Sequence, residues 1–292
     1  MTLVGGFSME YLLLVIVCFS TAIQNILTKQ YSTKSHGGTF TFGAMSTLVA
    51  LLFFVAVNRD WSFNDGQIFY SLGFGASYCT AVFFSVLAIK NGPLALTNLI
   101  ISASLLIPTF YGIVFLNEPV TTLLVIGLVL LVSALVMTNY QKDQDSRPTL
   151  KWVIYSILAS VGNGMCSAVQ KAETMVYGES GKNVFMIIAL SIVTIVLLSM
   201  SFAVKSEREE LKHNFSVGWL LALGRGFSNG LTNFLVMLLN ALIPASVLFP
   251  VISAAVMIIV FLYSTTVVKE KYSTVQKLGF AVGLLSIILL NL

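Results

Sequence analysis

Charge is what this chain has least of. Only 10% of its 292 residues are Asp, Glu, Lys or Arg, against roughly a quarter in soluble domains, while 57% are hydrophobic and the mean hydropathy is +0.91. That balance excludes a water-soluble domain and implies a polytopic integral membrane protein. Histidine occurs twice, as His36 and His213, and both stand between apolar runs; no Asp stands inside one. Hydrolytic or metal-assisted chemistry within a bilayer needs such groups in its helices, so an enzyme is not expected, and neither is a metal or a cofactor. No GxxxxGK[ST] sequence is present, which removes direct ATP drive. Cys18, Cys79 and Cys166 all lie in apolar runs, where sulfur packs as a small hydrophobe, so neither a disulfide framework nor a metal knuckle is expected. The basic residues are scattered and form no stripe, so nucleic acid is not a partner. No ring of charges or filter-like loop marks a channel.

What the chain has instead is apolar length. A span needs about 20 residues at 1.5 Å each to cross a core of about 30 Å, and ten stretches qualify: 9–28, 39–57, 67–89, 94–115, 121–139, 150–172, 184–204, 216–239, 245–266 and 273–291. The first lacks a basic leader and a small-residue cleavage site, so it reads as a retained helix. Of the 16 Lys and Arg, twelve fall on one side of this alternation and three, Arg59, Lys171 and Lys182, on the other, with Arg225 set aside. The rich side is cytoplasmic by the positive-inside rule, which places both termini outside. The expected location is a plasma (inner) membrane of prokaryotic type.

A repeat runs through the sequence. Cys18 to Asn25 (CFSTAIQN) is matched 146 residues later by Gly164 to Lys171 (GMCSAVQK). Asn91 and Asn240, 149 apart, close the third and eighth spans, and Leu116 to Pro119 (LNEP) meets Val268 to Lys271 (VKEK) at 152. Two halves follow, residues 1–140 and 150–292, joined by 141–149. Five spans per half is an odd number, which turns the second half upside down relative to the first, an inverted-topology repeat.

The five-plus-five arrangement, together with FLNEPVTTLLVIGLVLL and VVKEKYSTVQKLGFAVG, resembles the drug/metabolite transporter superfamily in its ten-helix EamA-like branch. The resemblance implies an all-α integral membrane protein of ten transmembrane helices, two inverted repeats around a central cavity. Helices 1, 3, 4, 6, 8 and 9 would enclose that cavity, with 5 and 10 peripheral. The Trp-Gly pair often found in helices 1 and 6 of that branch is absent here.

Candidate site residues are polar positions on otherwise apolar spans. The eighth span carries Arg225 with Asn229 and Asn233, at helical spacing along one face. An arginine at that depth normally faces a lined cavity or a partner, because it cannot shed its charge. The alternative is a snorkelling arginine beside the interface-type Trp219, with asparagines joining neighbouring helices. The first span offers Thr21, Gln24 and Asn25 in a stripe with Ser20 and Thr28, and the sixth repeats it with Asn163, Ser167 and Gln170. Tyr78, Asn98, Ser102 and Ser253 complete the set. Pro108 and Pro250 are expected to interrupt the fourth and ninth spans. Glu118 and Glu270 read as interfacial charges closing turns, and Glu173, at the end of the sixth span, is the one carboxylate placed to reach a lumen.

The expected function is secondary transport of a small organic solute by alternating access. The fixed charge among amides favours an amino-acid-like or other carboxylate-bearing molecule. Export of amphipathic or aromatic compounds, or a non-transporting channel or scaffold, is the alternative. Expected partners are the small-molecule substrate and the lipid bilayer, with the chain a monomer or a homodimer.

Overall fold

The computed structural model describes residues 9–35, 37–91, 94–138, 149–269 and 272–290. Glu270 and most of the 141–149 connection lie outside the described residues. Helix forms wherever the sequence holds a long apolar run, since in lipid only internally satisfied backbone is tolerated, and no strand occurs among the described residues. The helices are α1 (Met9–Lys34), α2 (Thr39–Val57), α3 (Gln67–Asn91), α4 (Leu94–Ser102), α5 (Leu106–Phe115), α6 (Thr122–Thr138), α7 (Leu150–Tyr177), α8 (Lys182–Ala203), α9 (Lys205–Glu209), α10 (Leu211–Asn240), α11 (Ala245–Thr266) and α12 (Thr274–Leu290). Six of them, α1, α2, α3, α7, α8 and α11, are long and apolar enough to cross a membrane, and the shorter apolar helices are Ile100–Phe115, Thr122–Thr138 and Thr274–Leu290.

The two prolines behave differently. The fourth span is broken, but at a 3-10 turn, Ala103–Leu105, just upstream of Pro108. A proline ring displaces the carbonyl four residues back, here that of Ser104, so the disturbance falls before the proline itself. Pro250 does not interrupt its helix: α11 runs through it unbroken. The start of α11 is pinned from outside, because the Glu118 carboxylate accepts from the backbone N–H groups of Ala245 (2.7 Å) and Ser246 (2.8 Å).

The chain forms two compact units, each drawing on both halves of the sequence. One comprises Met1–Cys79 and Val169–Leu242, the other Thr80–Ala168 and Ile243–Leu292, with the divisions inside α3 and α7. In the first, α10 and α8 pack on α2, and α1 packs on α10. The approach of α10 to α2 rests on small residues every fourth position, Gly218, Ala222, Gly226 and Gly230, all buried. At Gly226 even a methyl group would sit 2.3 Å from the Ser46 carbonyl oxygen, so the backbones meet there as in small-xxx-small membrane pairs. Gly218 faces Met45 and Gly230 faces Phe53, so α10 and α2 run parallel. Thr47 bonds Thr194, and Gly43 meets Leu197, which makes α2 and α8 antiparallel. The first N–H groups of α2 are closed from the α9 connector: buried Glu207 accepts from Phe40 N and Thr41 N, both at 2.9 Å, and from the Thr41 hydroxyl at 3.0 Å.

In the second unit the closest packing is between α6 and α12. Ser286 donates to the Gly127 carbonyl at 2.8 Å, and Gly279 meets Met137 and Thr138, an antiparallel register. Gly127 and Gly279 permit this close approach. Helix α7 approaches the 3-10 turn at Gly164, where an added methyl group would sit 2.5 Å from the Ser104 carbonyl oxygen. The Trp152 indole donates to Thr97 at 2.8 Å.

Candidate functional site

Apolar surroundings leave polar side chains few partners, so those on α1, α7 and α10 find one another. Gln24 is the junction in the first unit. Its amide N–H donates to Thr232 Oγ1 at 2.9 Å, and its carbonyl oxygen accepts from Asn229 Nδ2 at 3.0 Å. Asn233 Nδ2 donates back to the Asn229 carbonyl at 2.9 Å, and the Asn233 carbonyl accepts from Gln170 Nε2 at 3.2 Å. Ser20 donates to the Ser228 carbonyl at 3.0 Å. The four-residue rhythm read along α10 is thus a ladder, with rungs to α1 on one side and to α7 on the other.

Arg225 heads the ladder. Its Nε donates to Thr28 Oγ1 at 2.9 Å, and its guanidinium carbon lies 5.5 Å from the centroid of the Phe42 ring, itself stacked on Tyr31 at 4.0 Å. Neighbouring Gly226 packs at the level of Ser46 and Val49, so the side chain runs about one turn back toward the start of α2. This is partial snorkelling. It does not free the group: Nη1 is buried and has no hydrogen-bond partner. A guanidinium held at one nitrogen and over one face, with a buried donor left over, is shaped to receive an acceptor.

The other sequence candidates divide. Thr21 turns onto its own helix, donating to the Val17 carbonyl at 2.8 Å, and Asn25 is exposed. Tyr78 lies on α3 with its ring 6.2 Å from that of Phe74. Asn98, Ser102, Asn163, Ser167 and Ser253 belong to the second unit, where Asn163 donates to Ser104 at 2.7 Å and Ser102 leads into the 3-10 turn. Glu173 is fully buried and does not stand open: it accepts from Gln67 Nε2 at 2.7 Å, and that amide also donates to the Ser180 carbonyl at 2.8 Å. Sequence reasoning missed Gln67, Phe42 and the Lys171 bond to the Asn240 carbonyl at 2.7 Å. Lys171, counted in the sequence with Arg59 and Lys182 on the side poor in basic residues, is buried, because α7 continues to Tyr177.

Residues 8–140 match the model of the EamA-like transporter family. This stretch belongs to that family. The match covers a little under half of the chain, whose apolar helices are those of an integral membrane protein. A solved crystal structure shares the fold with TM-score 0.74, covering 96% of this chain and 95% of that one at 12% identity, a likeness of fold alone. That shared fold spans both the matched stretch and the rest of the chain. No curated protein matches the sequence.

Proposed function

We propose that this EamA-like protein is a secondary transporter for a small carboxylate-bearing solute of amino-acid type, which binds at Arg225 and the α1–α10 ladder. The observation that carries the reading is the buried Arg225 Nη1 without an acceptor, beside an Nε and a ring face already engaged. Gln24, Asn229 and Asn233 would hold the polar remainder of the solute, with Gln170 behind them and Asn25 and Thr21 on the approach. Asn98, Ser102, Asn163, Ser167, Ser253 and Tyr78 would contribute from the other helices as the site reorients. Two inverted five-helix halves of ten spans would exchange access. The packing supports this: α2 lies against α8 and α6 against α12, the pairs that the sequence offset relates, and both pairs are antiparallel.

The test is binding to the purified protein, followed by thermal stabilisation over a panel of amino acids and other organic acids. Arg225→Gln is expected to lose binding by more than tenfold, since hydrogen bonds to a charged group contribute about 1.5–3 kcal/mol. Arg225→Lys, which keeps the charge without the paired donors, is expected to be intermediate, and Asn229→Ala weaker than wild type but better than Arg225→Gln. Wild-type affinity in folded Arg225→Gln protein would leave Arg225 a structural residue. Counterflow in liposomes separates a reorienting site from a channel or scaffold. Orientation is checked by a cysteine at position 147 in a background without the native three, labelled only from the cytoplasmic face.

A further inference from the structure

An apolar groove of about 440 Å³ opens between three helices of the first unit, at the ends where α2 and α10 begin and α8 finishes. Its walls are almost wholly hydrocarbon, with Ala44 and Leu48 from α2, Leu198 and Phe202 from α8, and Phe215 from α10 among them. Leu48, Leu198, Phe202 and Phe215 are each about half exposed, so the groove faces outward from the packed helices. One charged side chain lines it, that of Lys212. This end of the unit is the side on which the sequence gathers its basic residues.

The charge at the rim leans positive once the inward-facing and the paired carboxylates are set aside, with Glu210 half-buried beside them. The α9 connector and the start of α10 carry Lys205, Arg208 and Lys212 among Glu207, Glu209 and Glu210. Glu207 is turned inward onto the first amides of α2, and Glu209 lies 3.8 Å from Lys205. Arg208 and Lys212 are exposed, and among the described residues their side chains enter no hydrogen bond or ion pair. A hydrocarbon trough with a free ammonium at its mouth is amphipathic along its length. It complements a molecule with an acyl chain at one end and a phosphate at the other.

We infer that the groove between α2, α8 and α10 is a binding site for one anionic phospholipid, with an acyl chain along Ala44, Leu48 and Leu198 and its phosphate on Lys212. Such a lipid covers apolar surface that spans already provide, while the lysine selects the headgroup. Anionic lipids are concentrated in the cytoplasmic leaflet, on the basic side of such proteins.

The experiment is native mass spectrometry of delipidated protein titrated with phosphatidylglycerol, with phosphatidylcholine of the same chains, and with glycerol phosphate alone. One phosphatidylglycerol is expected to bind at least fivefold more tightly than phosphatidylcholine, and glycerol phosphate not at all. Lys212→Gln is expected to weaken phosphatidylglycerol about fivefold, and Lys151→Gln, a basic residue of the second unit, to leave it unchanged. Leu198→Trp fills the groove from an exposed wall position and is expected to abolish the single retained lipid. Equal binding of the two lipids, no change in Lys212→Gln, or retention of the lipid by folded Leu198→Trp would each overturn the assignment. Since Lys212 is an exposed side chain, its variant folds and decides the matter even if the tryptophan variant does not.

Discussion

Among the described residues of the unit built on α2 and α10, nine buried side-chain polar atoms have no hydrogen-bond partner: two each on Asn58, Asn214 and Asn240, and one each on Glu173, Asn183 and Arg225. Among the described residues of the unit built on α6 and α12, Ser156 Oγ is the one such atom. There the buried polar groups are closed, Ser286 on the Gly127 carbonyl, Trp152 on Thr97 and Glu118 on the start of α11. An unmatched polar atom in an apolar interior costs about 1–3 kcal/mol, so native structures keep few. The two units thus differ in how completely their buried polar groups are closed. The same reasoning separates Arg225 from Gly226, adjacent in sequence. Gly226 brings the backbones of α10 and α2 together; Arg225 reaches Phe42 and Thr28 yet keeps a buried donor without a partner.

The contrast can be broken by substitution. The largest effect is expected at the backbone contact: Gly226→Val must push α10 away from the Ser46 carbonyl and lose about 3 kcal/mol, whereas Gly127→Ala in the other unit meets mainly the flexible Leu290 side chain and loses about 1 kcal/mol. Chemical unfolding in detergent measures both, and equal losses would erase the distinction. A smaller effect of opposite sign separates the polar groups. Ser286→Ala should lower stability by about 0.6 kcal/mol, the usual worth of an interhelical hydrogen bond in a membrane, while Arg225→Gln should melt no lower than wild type although it loses binding. An Arg225→Gln protein that unfolds more readily than Ser286→Ala would make Arg225 part of the scaffold. The smallest effect concerns Glu173, held by Gln67 in a chain whose other spans offer no buried acid as a proton carrier. A pH gradient is expected to drive no uphill accumulation in liposomes, and Glu173→Gln to leave exchange unchanged. Accumulation that depends on the gradient and vanishes in Glu173→Gln would count against a facilitator or exchanger.

Much of this was legible before any coordinates, because it rests on local spacing. Arg225, Asn229 and Asn233 recur at one helical turn, and so do Ser20, Gln24 and Thr28, so two facing stripes follow from periodicity alone. The apolar runs mark out the helices for the same reason, though α1, α7 and α10 continue past the hydrophobic limit into polar residues that still favour helix. What periodicity does not carry is the partner of a lone charged side chain. Glu118 was read as closing its own turn, yet its carboxylate reaches a helix start 127 residues away, and Glu207 reaches one 167 away. No spacing rule links such positions. Pro250 shows the converse, a strong local signal that does not break its helix, whose start is held by the Glu118 carboxylate. Asn25 and Thr21 share a stripe with Gln24, but a stripe is wider than a contact, and it is Ser20, Gln24 and Thr28 that reach α10.

The two long-range carboxylate caps also set an order of events at the ribosome. Phe40 and Thr41 are made early, and the acid that closes their amides follows 167 residues later, roughly ten to thirty seconds at 5–20 residues per second. Throughout that interval the start of α2 waits in the translocation machinery or at the lipid surface without its final seal. Glu118 reverses the relation, being ready in the first half before α11 exists to receive it. Each half of the polypeptide thus finishes a helix belonging to the other, so neither matures alone during synthesis.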